Sequence, residues 1–160
     1  MTPKSILIVC TGNLCRSPMA EVLLQAHLAA DPLRAHWHAG SAGVWATDDR
    51  PASPHAVAVM AERGLDLTHH RARLVTPGLM HTSHLILGMT PSHVEALRMA
   101  FPGAAGKVRL FAEMAGRSHG VEDPYGQPVE VYRSVAEEIE QIIQSGYSYI
   151  AACAEGSLTL

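Results

Sequence analysis

The sequence predicts an α/β fold: a three-layer sandwich with a central four-stranded parallel sheet and helices on both faces. Three observations carry this. Short apolar runs alternate with amphipathic stretches of helical length, the pattern of βαβ units. The first run, Ser5-Ile6-Leu7-Ile8-Val9-Cys10, is apolar almost without alternation, as suits a strand covered on both faces. The 160 residues, 48% of them hydrophobic, are enough for one domain, 1–160, with a real core. No internal repeat, low-complexity segment or linker divides them.

Strand one ends at Cys10. Ser17-Pro18 then reads as a helix start, a hydroxyl cap followed by proline in the first turn. Met19, Val22, Leu23, Ala26 and Leu28 give that helix an apolar face to about Ala30, and Asp31-Pro32 stops it. Ala35 to Ala39 is the expected second strand, ended by Gly40-Ser41-Ala42-Gly43, with the loop "WATDDRPASP" after it. The next helix is expected from Pro54 to Arg63, closed by Gly64. His84 to Met89 reads as strand three, Pro91 to Ala100 as a helix, and Lys107 to Leu110 as a short strand four. The last long helix is expected from Val129 to Ser145, with Gly146 as its stop. The tail, 147–160, is apolar and rich in small residues, and its pattern assigns it no structure.

A formal net charge of −3 with no basic block gives no support for nucleic acid or an anionic membrane as partner. No stretch approaches the roughly 18 apolar residues of a spanning helix, and the first apolar run is too short for a signal peptide. Three cysteines do not make a disulfide framework. A cytoplasmic protein with reduced thiols is expected. The ten histidines are scattered, apart from His36 and His38 flanking Trp37 and the pair His69-His70. With no CxxC or HExxH beside them, they predict no metal site.

The chemistry is expected beyond the carboxyl end of strand one, where such sheets bind ligands. From Thr11 to Arg16 the chain must curl tightly before the helix. Gly12 and Asn13 are residue types that tolerate positive φ. Successive N–H groups in such a curl form an anion nest, and the helix N-terminus adds its own positive end. A thiol there favours its thiolate, and Arg16 adds a permanent charge with a planar fork for two oxygens of a tetrahedral oxyanion. Cys10 is therefore the candidate nucleophile and Arg16 the candidate phosphate ligand. Taken singly, Cys10 could be a buried strand-end thiol and Arg16 a surface charge; the order strand, C-x5-R-S, helix outweighs that.

"VCTGNLCRSPMAE" resembles the signature of the low-molecular-weight protein tyrosine phosphatases. "SAG" at Ser41 to Gly43, "HRAR" at His70 to Arg73 and "EDPYG" at Glu122 to Gly126 resemble further segments of that family. Chain order and size fit from about Lys4 to Ser145. The resemblance implies a sheet order of 2-1-3-4 and a two-step reaction without metal or organic cofactor. Cys10 attacks the phosphoryl group and becomes a phosphocysteine. Asp123 protonates the leaving group and then helps water to hydrolyse the intermediate. Ser17 is implied to hydrogen-bond the nucleophile, while Asn13, Ser41 and His70 hold the loop in shape. The loop residues Thr11, Gly12, Asn13, Leu14, Cys15 and Ser17 are implied to bind a phosphorylated protein substrate, with phosphate or another tetrahedral oxyanion in the loop. Cys15 is either a redox partner that shields Cys10 from over-oxidation or a packed apolar side chain.

Trp45 and Tyr125 are expected to wall the pocket and sandwich a flat leaving group, phenol or guanidinium. Thr11 and Gly126 resemble the bacterial protein arginine phosphatase branch, and a hydroxyl at the pocket floor suits a guanidino group. Asp48 or Asp49 is a further candidate to pair with a guanidinium. Phosphotyrosine and phosphoarginine both stay open as substrates. Two rival readings are weaker. An arsenate reductase on this fold needs relay cysteines, and Met80 to Met89 contains none. A silent phosphate-binding module is expected to lack Cys10, Arg16 or Asp123, and all three are present.

Overall fold

The computed structural model describes residues 2–157. Their strands are β1 (Ser5–Cys10), β2 (His38–Gly43), β3 (Leu85–Gly88) and β4 (Val108–Leu110). The helices are α1 (Arg16–Ala30), α2 (Pro54–Glu62), α3 (Pro77–Thr82), α4 (Pro91–Ala100) and α5 (Val129–Ala154). The strands form one parallel sheet in the order β2-β1-β3-β4. The chain steps from β1 to β2 in one direction and from β3 to β4 in the other. Right-handed crossovers therefore put α1 and α4 on opposite faces. α5 packs on α1 and α2, and α4 packs on β3 and β4. Ile6, Ile8, Leu85, Ile86 and Leu87 are fully buried between these layers. Each such side chain contributes about 1.5–3 kcal/mol of burial. Among the described residues no helix is long and apolar enough to cross a membrane.

The second strand differs from expectation. It is His38–Gly43 rather than Ala35 to Ala39, so Gly40-Ser41-Ala42-Gly43 lies inside it. These small residues have little intrinsic strand preference. Their place is set by the neighbour: Cys10 pairs with Gly43, and a Cβ on Gly43 would sit 2.4 Å from the Thr11 carbonyl oxygen. The glycine lets the end of β2 run against the loop after β1.

Gly146 does not stop the last helix, which continues through it to Ala154. A Cβ there would lie 2.6 Å from the Met114 carbonyl oxygen. The glycine serves close packing of α5 on the 3-10 turn Phe111–Ala115. Tyr147 to Ala154 of the tail is thus helical, and residues 158–160 of the expected tail lie outside the described residues. Helix α3, capped by the Thr76 side chain, and the 3-10 turns at Pro102–Lys107 and Phe111–Ala115 are too short to leave a periodic signal. Ser17 is not the cap of α1: the helix begins at Arg16, and Cys15 at the cap position makes no side-chain cap bond.

Candidate active site

The loop from Cys10 to Arg16 is held open from outside. Its carbonyls are tied outward: Cys10 O accepts from Val44 N at 3.0 Å, Thr11 O from Trp45 N at 2.9 Å, and Leu14 O from Ser53 N at 2.9 Å. His70 Nε2–H donates to Asn13 O at 2.7 Å. With the carbonyls facing out, the amides of the curl face its concave side, which makes an anion nest. Asn13 alone takes the left-handed turn, at φ 57°; Gly12 does not need its expected freedom there.

The strain at Asn13 is met by its side chain. Oδ1 accepts from Arg73 N at 3.0 Å, so the amide NH2 faces the other way. It donates to Ser17 Oγ and to Ser41 Oγ, each at 2.9 Å. Ser41 in turn donates to Glu21 Oε1 at 2.8 Å. Because Ser17 Oγ receives a proton from Asn13, its own proton goes elsewhere. The near acceptor is Cys10 Sγ at 2.9 Å, against 3.5 Å for Ala42 O. Ser17 therefore donates to the sulfur. Asn13, Ser41 and His70 all bond within this network, and Glu21 and Arg73 extend it.

Arg16 is buried, its side chain 5% exposed. Nη1 donates to Val121 O at 3.0 Å, and Nη2 lies 3.5 Å from Asp123 Oδ2. Nε is buried with no partner among the described residues. A buried guanidinium N–H without an acceptor costs about 1–3 kcal/mol, so an oxyanion seated in the nest would remove that penalty. Asp123 hangs at the rim, 52% exposed, its Oδ1 fixed by the Tyr125 N–H at 3.1 Å. A cysteine thiol, a buried guanidinium and an exposed carboxyl group thus meet in one cleft of about 230 Å³, lined also by Thr11, Gly12, Leu14, Cys15, Arg50 and Tyr125.

Trp45, Asp48 and Asp49 fall away from this cleft. Trp45 is 84% exposed and does not line it; only its backbone touches the loop. The loop after β2 turns outward there because Gly43 N and O are bonded to Arg73 and Val75. Tyr125 alone supplies an aromatic wall. Asp48 is taken by the Leu74 N–H at 2.9 Å, and Asp49 sits in a left-handed turn at φ 68°. Neither lines the cleft.

Two residues are present that the sequence did not announce. Arg50 comes in from the loop after β2. His93, from the first turn of α4, reaches Thr11 Oγ1 through Nε2 at 2.8 Å. It is 5% exposed. Burial first, then the charge of Arg16, pushes its pKa down to about 4. A Thr-x-x-His helix start was the available signal.

Cys10, Cys15 and Cys153 are free thiols. Cys15 Sγ lies 3.3 Å from Ser53 Oγ and 3.4 Å from Tyr132 OH, and Ser53 Oγ donates to Tyr132 OH at 3.2 Å. Burial pushes the Cys15 thiol up. Burial and the Cys15 contact push Tyr132 up to about 12. Among the described residues no three His, Cys, Asp or Glu side chains are grouped to hold a metal ion.

This fold is shared with known proteins. Residues 5–151 match the family model described as low molecular weight phosphotyrosine protein phosphatase. The chain is 36% identical over 140 residues to a protein-arginine-phosphatase of Bacillus subtilis, covering 87% of this chain and 91% of that one. The low molecular weight protein tyrosine phosphatase of T. tengcongensis superposes with a TM-score of 0.86 at 41% identity, covering 91% and 99% of the two chains. A mutant YwlE arginine phosphatase whose active-site serine is phosphorylated superposes at 0.84 and 32% identity, covering 92% and 95%.

Proposed function

The chain belongs to the low molecular weight phosphotyrosine protein phosphatase family, and from that premise we propose that it uses Cys10 to hydrolyse phosphoarginine on proteins, with aryl phosphates as accepted substrates. It is a cysteine-dependent protein phosphatase; the residue roles and the substrate preference are our reading. The observation that carries the roles is Arg16, which lines one cleft with Cys10 and whose buried Nε has no partner among the described residues.

In the first step Cys10 Sγ attacks phosphorus. The S–P bond forms as the bond to the leaving nitrogen or oxygen breaks, and Asp123 gives that atom its proton. Arg16 and the loop amides hold the non-bridging oxygens as charge shifts, the kind of preorganised stabilisation worth several kcal/mol. In the second step Asp123 takes a proton from water as its oxygen bonds phosphorus. The S–P bond breaks, and the departing thiolate is received by the Ser17 hydroxyl. The phosphorylated serine of the YwlE mutant supports a covalent phosphoenzyme of this kind.

The preference for phosphoarginine rests on the cleft's walls. Thr11, which carries a hydroxyl, lines it, and Trp45 does not close an aromatic sandwich on the side opposite Tyr125. A polar leaving group gains more there than a phenyl ring. Three free thiols, one of them the nucleophile, suit a reducing compartment, and we assign the protein to the cytoplasm.

Cys10→Ser tests the core of this reading. Turnover of p-nitrophenyl phosphate is expected to vanish while inorganic phosphate still binds. Turnover near that of the wild type would overturn the assignment. The substrate preference is tested by kcat/KM on phosphoarginine and phosphotyrosine peptides side by side.

A further inference from the structure

His93 is tied to the cleft from outside the loop. It stands on the first turn of α4, where β3 ends and where Met89 O accepts from the Val121 N–H of the Asp123 loop. Its Nδ1 lies 3.1 Å from Thr90 N and 3.0 Å from Thr90 Oγ1. A backbone N–H can only donate, so Nδ1 is the acceptor. A neutral imidazole then carries its proton on Nε2. Nε2–H must donate to Thr11 Oγ1, 2.8 Å away.

This fixes what Thr11 presents. A threonine side chain can swap its hydroxyl and methyl by rotating χ1. The bond from His93 holds the hydroxyl in place and occupies one lone pair. One proton and one lone pair remain, and Thr11 lines the cleft beside Cys10 and Arg16. A guanidino leaving group offers N–H donors to that lone pair; a phenol ring offers none.

We propose that His93 is a specificity-positioning residue: its Nε2–H locks the Thr11 hydroxyl so that the remaining lone pair meets the guanidino group of a phosphorylated arginine. The proposal rests on the phosphatase reading above and adds a residue that touches neither phosphorus nor the leaving group. His93 also closes the cap of α4, since Thr90 Oγ1 accepts from His93 N at 3.3 Å while Nδ1 accepts from Thr90 N. A test must separate the two roles.

Asparagine and glutamine separate them. Asn places its oxygen where Nδ1 was and keeps the Thr90 contact, but it has nothing at Nε2. Gln places an N–H near Nε2. The experiment measures kcat/KM on phosphoarginine and phosphotyrosine peptides for wild type, His93→Asn and His93→Gln, each with Thr11 intact and with Thr11→Val. His93→Asn is expected to lower the arginine-to-tyrosine ratio about 5- to 10-fold, the worth of one neutral hydrogen bond. His93→Gln is expected to restore most of it, and neither is expected to move the ratio in the Thr11→Val background. An unchanged ratio in His93→Asn, or an equal shift without the Thr11 hydroxyl, overturns the proposal. A wild type active on aryl phosphate but inert on phosphoarginine overturns it too. A wild type inert on every substrate overturns the phosphatase reading instead. Nitrogen-15 shifts of the wild-type His93 ring give a check that needs no variant: a proton on Nδ1 rather than Nε2 overturns the lock.

Discussion

Asn13 donates through Nδ2 to Ser17 Oγ at 2.9 Å, and that bond turns the Ser17 hydroxyl proton toward Cys10 Sγ. In the proposed reaction the sulfur leaves phosphorus as a thiolate, which that hydroxyl receives. A hydrogen bond to a charged group is worth about 1.5–3 kcal/mol. Ser17→Ala is therefore expected to slow hydrolysis of the phosphocysteine about 10- to 100-fold. Formation of the intermediate from a reactive aryl phosphate should suffer less, so a burst should appear in pre-steady-state traces. Asn13→Ala should act in the same direction, and the double variant should lose less than the product of the two. Equal slowing of burst and steady phases would argue that Ser17 only holds the fold.

Asp123 is held by its own loop, through Tyr125 N to Oδ1, and leaves Oδ2 toward Arg16 and the cleft. A proton donor matters in proportion to the basicity of what leaves. Asp123→Ala is expected to cost about 100-fold or more on phosphoarginine and on unactivated phenyl phosphates, and little on phosphates of strongly acidic phenols. The slope of log kcat/KM against leaving-group pKa is the measurement. A uniform loss would remove Asp123 from the proton-transfer role.

Cys15 lies in the same loop as the nucleophile, yet its thiol is engaged by Ser53 and Tyr132. Peroxide converts a nucleophilic thiolate to a sulfenic acid, which a nearby thiol can capture as a disulfide with loss of water. Brief peroxide treatment of the wild type is expected to give inactivation that dithiothreitol reverses. In Cys15→Ser the same treatment should leave most of the loss permanent. Equal recovery in both would leave Cys15 as a packed side chain only.

Gly146 gives a prediction in which two readings differ in sign. A glycine that merely weakens a helix is improved by alanine, by about 1 kcal/mol. Here the new Cβ would meet the Met114 carbonyl oxygen at 2.6 Å. Gly146→Ala is expected to destabilise by about 1–3 kcal/mol, read as a lower midpoint in urea. Gly103→Ala is the control, since nothing lies within 4 Å of its Cβ.

That case shows where the sequence could be read and where it could not. The loop from Cys10 to Ser17 was legible because its chemistry is local: strand, curl, arginine and helix follow one another within thirteen residues of Ser5. The sheet order came from resemblance and held, because parallel βαβ units allow few alternatives. Trp45 was misjudged because the path of its loop is set by Arg73 and Val75, thirty residues away. The strand at His38–Gly43 was misplaced because its small residues serve a neighbour's close approach and not their own propensity. His93 and Arg50 were missed because only tertiary structure brings α4 and the loop after β2 to the cleft.

His93 also makes stability depend on pH. Its folded pKa is about 4, below the ordinary value near 6.5. Between these values the unfolded chain binds a proton that the folded chain does not. Stability therefore rises with pH across this window and is lost as pH falls from about 6.5 toward 4. His84, pushed down mainly by burial, acts in the same direction. Asp31, Glu62 and Asp66, all held low by hydrogen bonds, add their own loss only below the ordinary carboxylate range. His93→Gln keeps an N–H for Thr11 but cannot take up a proton. The difference in unfolding free energy between wild type and His93→Gln is thus expected to shift by about 3 kcal/mol between pH 7 and pH 4, in favour of the variant at low pH. Urea titrations at the two pH values measure it. Parallel curves would mean that folding leaves the proton affinity of His93 unchanged, against the burial of its ring.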